Sequence, residues 1–480
     1  MRRFSRLLLA AAAVGALGQT TPSEPLRWLA GYVRIDTSNP PGHEHRAAAY
    51  LAAILQGEGI PTRLYESPEG RVSLVARLPR RSRTTLPPGY EIRHAETEVP
   101  GPGDADAPPG LDTRGGALVL LHHMDTVPAA HAQWMLDPWA ATLADGALWG
   151  RGALDAKSLG VAHLAAFLEL HRSRAPLVRD VVLMATADEE SGGTQGLAWL
   201  LESQPELAEQ TAAVLTEGGA NRARGGKPLW WGIEVTQKRP LWLEARTRGR
   251  GGHAAAFDHY SATALLVRAL DRVVEREPRL RVTPAAKSYL AALAPMHGEP
   301  MRSVWADVEA AARNDRLEDH LPRGMAGLFL DSVQVTMLEA GTRVNVTPPE
   351  ALARLDARLL PDTDSRAFLG ELRATLGPDV ELEVLLDAPA APASPTGHWA
   401  YACVRDVLDD SAPVVPAFIA GVTDARHFRA RGVPAYGVSP FALGGADMLS
   451  VHAADERIAV AAFEQGVDRM VEIVRRCATG

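Results

Sequence analysis

Three short apolar runs end abruptly on acids or histidines, and no other feature limits the fold as tightly. Ala117 to Leu121 runs into His122, His123, Met124 and Asp125. Val181 to Ala187 runs into Asp188, Glu189 and Glu190, and Ala212 to Leu215 leads through Thr216 to Glu217. Unbroken apolar runs of this length suit strands buried on both faces, as in a parallel sheet covered by helices. Functional groups of open α/β sheets gather at the carboxyl ends of such strands. Helical stretches at Leu26 to Arg34, Ala47 to Leu55 and Gly196 to Leu201, with a further strand at Val72 to Leu78, complete an alternating pattern that predicts an α/β fold.

Two stretches interrupt the alternation. Pro79 to Gly115 is rich in Pro, Gly, Arg and Asp, and reads as a surface insertion. Near Lys238 to Pro240 the order of elements changes. Strands are expected at Leu241 to Thr247, Ser332 to Leu338, Ala351 to Leu359 and Val380 to Leu386, with helices at Ser261 to Val274 and Ser365 to Leu376. The less regular stretch from Pro278 to Met325 is read as decoration on this insert. After Pro389 to Pro395 the first pattern returns. The expectation is a catalytic part with a central, mostly parallel sheet over residues 22–239 and 389–480, and an inserted α+β domain over 240–388. A chain of 480 residues, 46% hydrophobic, carries enough apolar material for two cores.

Arg2, Arg3 and Arg6 precede an apolar run from Leu7 to Leu17, and Ala16 and Gly18 sit where a cut before Gln19 needs small residues. That is the layout of a secretory signal peptide over residues 1–18, and the run is too short to span a bilayer. The chain is therefore expected to be secreted or periplasmic, with no membrane span once the signal is removed. Export would permit a bridge between Cys403 and Cys477, although their spacing suits two buried thiols equally well. A net charge of -8 without a basic stripe argues against a nucleic-acid partner.

The chemistry lies in the strand-end residues. Three successive acids at a buried strand end repel one another, and a divalent cation removes that cost. One glutamate can then hold metal while its neighbour takes a proton from water. A His followed two residues later by an Asp can ligate a metal and be held by that carboxylate. Asp155 follows Gly150 to Leu154 at the start of a helix, where an innocent N-cap is the competing reading. His452 precedes the last helix. Together His123, Asp155, Glu190, Glu217 and His452 form a nitrogen and oxygen donor set without thiolate, which suits zinc, with cobalt or manganese as substitutes. Five ligands with one shared carboxylate fit two metals about 3.5–4 Å apart.

The stretches HMDTVPA, GRGALDAKSLG, ADEESGG, TEGG, GRGGHAAA, NVTPPEALARLDARLLP, GVTDARHF and SVHAADE resemble, in order, the di-zinc exopeptidase family of aminoacylase, carboxypeptidase S, acetylornithine deacetylase and succinyl-diaminopimelate desuccinylase. TEGG and GVTDARHF resemble most the carboxypeptidase S branch and its relatives acting on N-acyl amino acids. The resemblance implies a zinc-exopeptidase fold with an inserted lid that often forms homodimers. It implies two Zn2+ per chain, and hydrolysis of an amide bond beside a free carboxylate in an N-acyl amino acid or short peptide. Residue by residue, Asp155 would bridge the metals, with His123 and Glu217 on one and Glu190 and His452 on the other. Asp125 would orient His123, and Glu189 would be the general base. His253 of the lid would donate to the oxyanion in a neighbouring site, and Asn345 would help at that oxygen or at the substrate carboxylate. Family members carry Gly where this chain has His122, a departure that the His-x-Asp spacing resolves in favour of His123 as ligand. Arg426 is the candidate for the substrate carboxylate, because a guanidinium offers two parallel donors, with Arg358 as an alternative.

Two rival readings fare worse. A degenerate, non-catalytic binding member of the same fold would have lost a ligand or the base, and all are present. A serine hydrolase would show a Gly-x-Ser-x-Gly elbow, which the sequence lacks.

Overall fold

The computed structural model describes residues 21–81 and 115–480, apart from 257, 278 and 323. The expected signal peptide and most of the insertion at Pro79 to Gly115 lie outside the described residues.

The apolar runs do become the centre of a sheet. Ala117–His123 lies between Val181–Thr186 and Thr211–Thr216, parallel to both, and Ala435–Gly437 extends the parallel set beyond Thr211–Thr216. All seven residues of Ala117–His123 are buried. The sheet continues as Thr62–Glu66 and Val72–Leu78 on one side and as Lys227–Gln237 and Val414–Ile419 on the other. Antiparallel pairings join those flanks to the parallel centre, so the nine-stranded sheet is mixed. Lys227–Gln237, with Pro228 and Gly232 inside it, escapes a search for apolar runs. Gly232 is needed there, since a Cβ would stand 1.9 Å from the Ala220 carbonyl oxygen.

Helix Lys157–Arg172 is buried along most of its length, and it packs on the C-terminal helix Val460–Thr479. The helix Trp399–Leu408 packs on that terminal helix too, and the disulfide Cys403–Cys477 links the pair.

A second sheet has the order Ser332–Ala340, Glu350–Leu359, Arg239–Arg248, Val380–Asp387, all antiparallel. Glu350–Leu359 shows why it forms. Ala351, Ala353, Leu355, Ala357 and Leu359 alternate with polar or half-buried residues, and this period of two places one face against helices Ala262–Val274 and Ser365–Leu376. Asp364 caps the latter helix by accepting from the Arg366 amide at 2.9 Å, and Gly377 at φ 85° ends it.

The stretch read as decoration on the insert packs elsewhere. Helices Pro284–Leu293, Met301–Ala306 and Val308–Arg313 bury Tyr289, Leu293, Trp305 and Val308 against Val415, Ala417 and Phe418 of the first sheet. Val415, Ala417 and Phe418 are buried while Val414, Pro416 and Ile419 are half-buried, and an irregularity in the pairing between Ala417 and Phe418 breaks the strict alternation.

Candidate active site

Strand alternation decides which histidine of His122–His123 enters the site. His122 points back into the core, with its Nε2 3.4 Å from the Tyr32 hydroxyl. It lies against Gly160, where a Cβ would come within 2.5 Å of the ring. His123 points the other way. Its Nε2 lies 3.0 Å from Asp155 Oδ1 and 3.4 Å from Glu217 Oε2. The second carboxylate oxygen of Asp155 lies 3.1 Å from His452 Nε2, which is also 3.2 Å from Glu190 Oε2. One carboxylate thus stands between two imidazoles, offering one oxygen to each. His123, Asp155, Glu190, Glu217 and His452 are brought together from a strand end, a short 3-10 turn and three loops.

Glu189 and Glu190 diverge despite being neighbours. Glu190 faces His452 and Asp155, while Glu189 lies on the side of Glu217 and has Arg426 Nη1 3.7 Å from its Oε1. His123, Glu189 and Glu217 present donor atoms within 4.8 Å of one another, as do His123, Asp155 and Glu190.

The charges show what such a cluster is built to hold. Burial, with the Glu217 charge added, raises the Glu189 carboxyl well above its ordinary range. Burial lifts Glu217 to about 7 and raises Glu190 as well. Hydrogen bonds to Asp155 and Glu190 lift His452 to about 10. Burial opposes charge on His123, but Glu217 and the bonds with Asp125, Asp155 and Glu217 outweigh it and raise that imidazole well above its usual value. Protons thus collect wherever the acids lack compensation, as expected of a site shaped for cations. Carboxylates and imidazoles with no thiolate fit two divalent metals of the zinc class.

Asp125 does more than orient His123. His123 Nδ1 donates to the Asp125 carbonyl oxygen at 2.9 Å and lies 3.5 Å from its Oδ1. The Asp125 carboxylate also accepts the backbone N–H groups of Glu189 (3.2 Å) and Glu190 (3.1 Å), so one buried carboxylate sets His123 and the two glutamates in register. The next layer is invisible to motif reasoning. Asn39 Nδ2 donates to Asp125 Oδ2 at 2.8 Å. Arg71 donates to Asp188 Oδ1 at 2.7 Å and pairs with buried Glu44. Asp188, at φ 68°, occupies a left-handed conformation uncommon outside glycine, and its Oδ2 accepts from the Gln195 amide at 2.8 Å.

Glu456 is a second positioning group that the sequence reading passed over. Fully buried, it accepts from the amides of Gly152 (3.1 Å), Leu154 (2.7 Å) and Asp155 (3.2 Å) and from Arg151 Nη1 (2.6 Å). Arg151 Nη2 reaches the carbonyls of His452 (3.4 Å) and Ala453 (3.0 Å). The loop of Asp155 and the loop of His452 are therefore tied together through one ion pair. Its only trace in the sequence is an acid four residues after His452.

Arg426 is 3% exposed, with Nη1 donating to the Thr423 carbonyl (2.7 Å) and Nη2 to the Gly192 carbonyl (2.9 Å), while its Nε has no hydrogen-bond partner. Gly193, at φ 69°, lets the backbone pass there, since a Cβ would meet Asp424 Oδ1 at 2.9 Å. Arg358 is held by Asp356 at 2.8 Å. His253 and Asn345 lie apart from the acid cluster on a small ribbon, where Gly252–His253 pairs with Val346–Thr347 and the Ala254 amide donates to the Asn345 carbonyl at 3.1 Å. Both are exposed, and among the described residues no hydrogen bond or ion pair joins either to the cluster.

The profile of Peptidase family M20/M25/M40 matches residues 119–476. Human aminoacylase-1 is 27% identical over 367 residues, covering 75% of this chain and 79% of that protein. The mouse N-fatty-acyl-amino acid synthase/hydrolase PM20D1 is 27% identical over 388 residues, covering 77% and 76%. Among solved structures, an M20 family metallo-carboxypeptidase from Sulfolobus solfataricus superimposes with a TM-score of 0.69 at 17% identity, covering 95% of this chain and 99% of that one. Human carnosine dipeptidase 1 gives 0.66 at 16%, covering 95% and 97%. The chain belongs to peptidase family M20/M25/M40.

Proposed function

We propose that the chain is a zinc-dependent hydrolase of amide bonds that lie next to a free carboxylate, acting on N-acyl amino acids or short peptides. The observation that carries this reading is Asp155 between His123 and His452, with Glu189 set to one side of the same cluster. Two divalent cations, one held by His123 and Glu217 and the other by Glu190 and His452 with Asp155 between them, would polarise the amide carbonyl and acidify water.

The chain's own groups supply the proton transfers. Glu189 takes a proton from the attacking water and gives it to the leaving nitrogen. Its buried setting opposite Glu217 strengthens its hold on that proton. His253 is suited to the carbonyl oxygen as charge develops there. Its Nδ1 accepts the Ala255 amide at 3.1 Å, so the neutral ring carries its proton on Nε2 as a donor. Asn345, beside it on the ribbon, assists at the same oxygen. We read the part of residues 240–388 built on the second sheet and its two helices, without the helices of 284–313 that pack on the first sheet, as a lid that delivers both groups to the site of a second copy in a homodimer. Met337 and Leu338 on the edge strand Ser332–Ala340, 46% and 58% exposed, support such a contact.

The substrate carboxylate is assigned to the cationic corner at Arg426. The test compares an N-acyl amino acid with its carboxamide in wild type and Arg426→Ala. A docking role lowers kcat/KM for the acid at least about tenfold and leaves the carboxamide, already poor, little changed. Equal losses on both substrates would leave Arg426 as a clamp on the Gly192 loop only. Zinc analysis of the purified protein should give two ions per chain, and full activity in a metal-free preparation would overturn the whole reading.

We also place the protein outside the cytoplasm, on the basic, apolar and small-residue order of its first 18 residues and the Cys403–Cys477 bridge. Among the described residues no helix is long and apolar enough to cross a membrane. Mass spectrometry of protein exported by its native host should find a mature end near Gln19.

A further inference from the structure

Between the helices that cover the edge strand Val414–Ile419 and the ends of the neighbouring strands lies an open cavity of about 360 Å3, within the range of small-molecule sites. Its floor is apolar and largely aromatic: Tyr289, Leu293, Trp305, Leu328 and Phe418 are all buried. The walls are fixed in advance. The Trp305 indole N–H donates to the His320 carbonyl at 3.0 Å, and its ring packs on His297 at 4.4 Å, whose Nδ1 is bonded to the Leu293 carbonyl. Among the described lining residues, Arg222 at the rim is the one full charge.

Two backbone segments connect this cavity to the acid cluster. Glu217 is followed by Gly218, Gly219 and Ala220, and Ala220 lines the cavity. Ile419 and Ala420 line it as well, and lead directly into Thr423 to Arg426 beside Glu189. The two loops touch, since a Cβ on Gly218 would meet Thr423 Cγ2 at 3.1 Å and Ile419 Cδ1 at 3.2 Å. The backbone that presents Glu217 and Arg426 therefore also shapes a preformed apolar hollow.

We propose that this cavity receives an apolar arm of the substrate, either its acyl chain or the side chain of its amino acid, and so selects large apolar substrates. The inference rests on the amide hydrolase reading above. It gives the helical stretch 284–329 a purpose beyond covering the sheet.

Two substrate series distinguish the sources of that arm. One varies the acyl group on glycine from acetyl to decanoyl. The other keeps acetyl and varies the amino acid from glycine to leucine, phenylalanine and tryptophan. Burying each methylene should raise kcat/KM roughly three- to fourfold in the series whose arm enters the cavity, until it is full. Ala420→Phe and Met325→Trp narrow the cavity from exposed or half-buried rim positions, and each should lower the ratio of long- to short-arm kcat/KM at least about tenfold. An unchanged ratio in both variants overturns the proposal while leaving the hydrolase reading intact. Binding without turnover separates the two ideas further. Zinc-loaded Glu189→Gln should bind N-decanoylglycine or N-acetyltryptophan saturably, as read by isothermal titration calorimetry, and adding Ala420→Phe should weaken that binding at least about tenfold. Equal affinity with and without Ala420→Phe, for both ligands, overturns the cavity assignment even if hydrolysis is absent.

Discussion

At the scale of single residues, Glu189 and Glu190 share a backbone segment held by one carboxylate, yet their side chains face different partners. That division predicts separable losses. Glu189→Gln should lower kcat by at least about 10²-fold with zinc content near wild type, because a general base is removed and a ligand is not. Loss of zinc in this variant would mean the two roles are exchanged. Glu456 makes a contrasting case, since it touches no reacting atom but accepts three amides of the loop that carries Asp155. Glu456→Gln should weaken zinc binding about 10- to 100-fold, measured by competition with a chelator, as losses of groups supporting metal ligands do. Unchanged affinity would show that the loop holds its shape without that carboxylate. Four of the proposed ligands stood out in the sequence because an apolar run precedes His123, Glu190 and Glu217 and a glycine turn precedes Asp155, whereas nothing local marks His452 beyond the SVHAADE stretch. Asn39, Glu44, Arg71 and Glu456 did not stand out. Their partners lie far along the chain, and nothing local distinguishes a buried acid or arginine from a solvated one.

Elements were legible where periodicity was clean. The helix Ser365–Leu376 and the strand Val72–Leu78 have the bounds that their patterns predict. Lys227–Gln237 was lost because Pro228 and Gly232 break the run, and helices 284–313 were misplaced because short amphipathic pieces do not state which sheet they cover. The cysteines are a third instance. Seventy-four residues separate Cys403 from Cys477, and only the packing of helix Trp399–Leu408 on Val460–Thr479 brings them together. Closing so long a loop restricts the unfolded chain, so replacing both cysteines by serine should cost about 2–5 kcal/mol of stability. Equilibrium denaturation of wild type and the double variant checks this. Equal stability would mean the helices hold together as well without the bridge.

For the whole molecule, the decisive question is whether a complete site needs two copies. His253 is exposed and, among the described residues, no hydrogen bond or ion pair joins it to the acid cluster of its own chain, while the edge strand Ser332–Ala340 of the same insert exposes Met337 and Leu338. A cyclic dimer formed by such a face is isologous, so each lid would serve the other copy's cluster. Complementation tests this without a complex structure. His253→Ala removes the donor and Glu189→Gln removes the base, so each homodimer should be nearly inactive. When the two variants are unfolded, mixed and refolded together, a heterodimer acquires one site lacking both groups and one site with both intact. Random pairing makes about half the dimers heterodimers with one working site each, so activity should return to about a quarter of wild type. If His253 instead serves its own chain, every site in the mixture still lacks one group, and mixing restores nothing. Sedimentation of the mixture distinguishes that result from a failure to dimerise: dimers without recovered activity would place His253 in its own site, and monomers alone would remove the second copy from the mechanism.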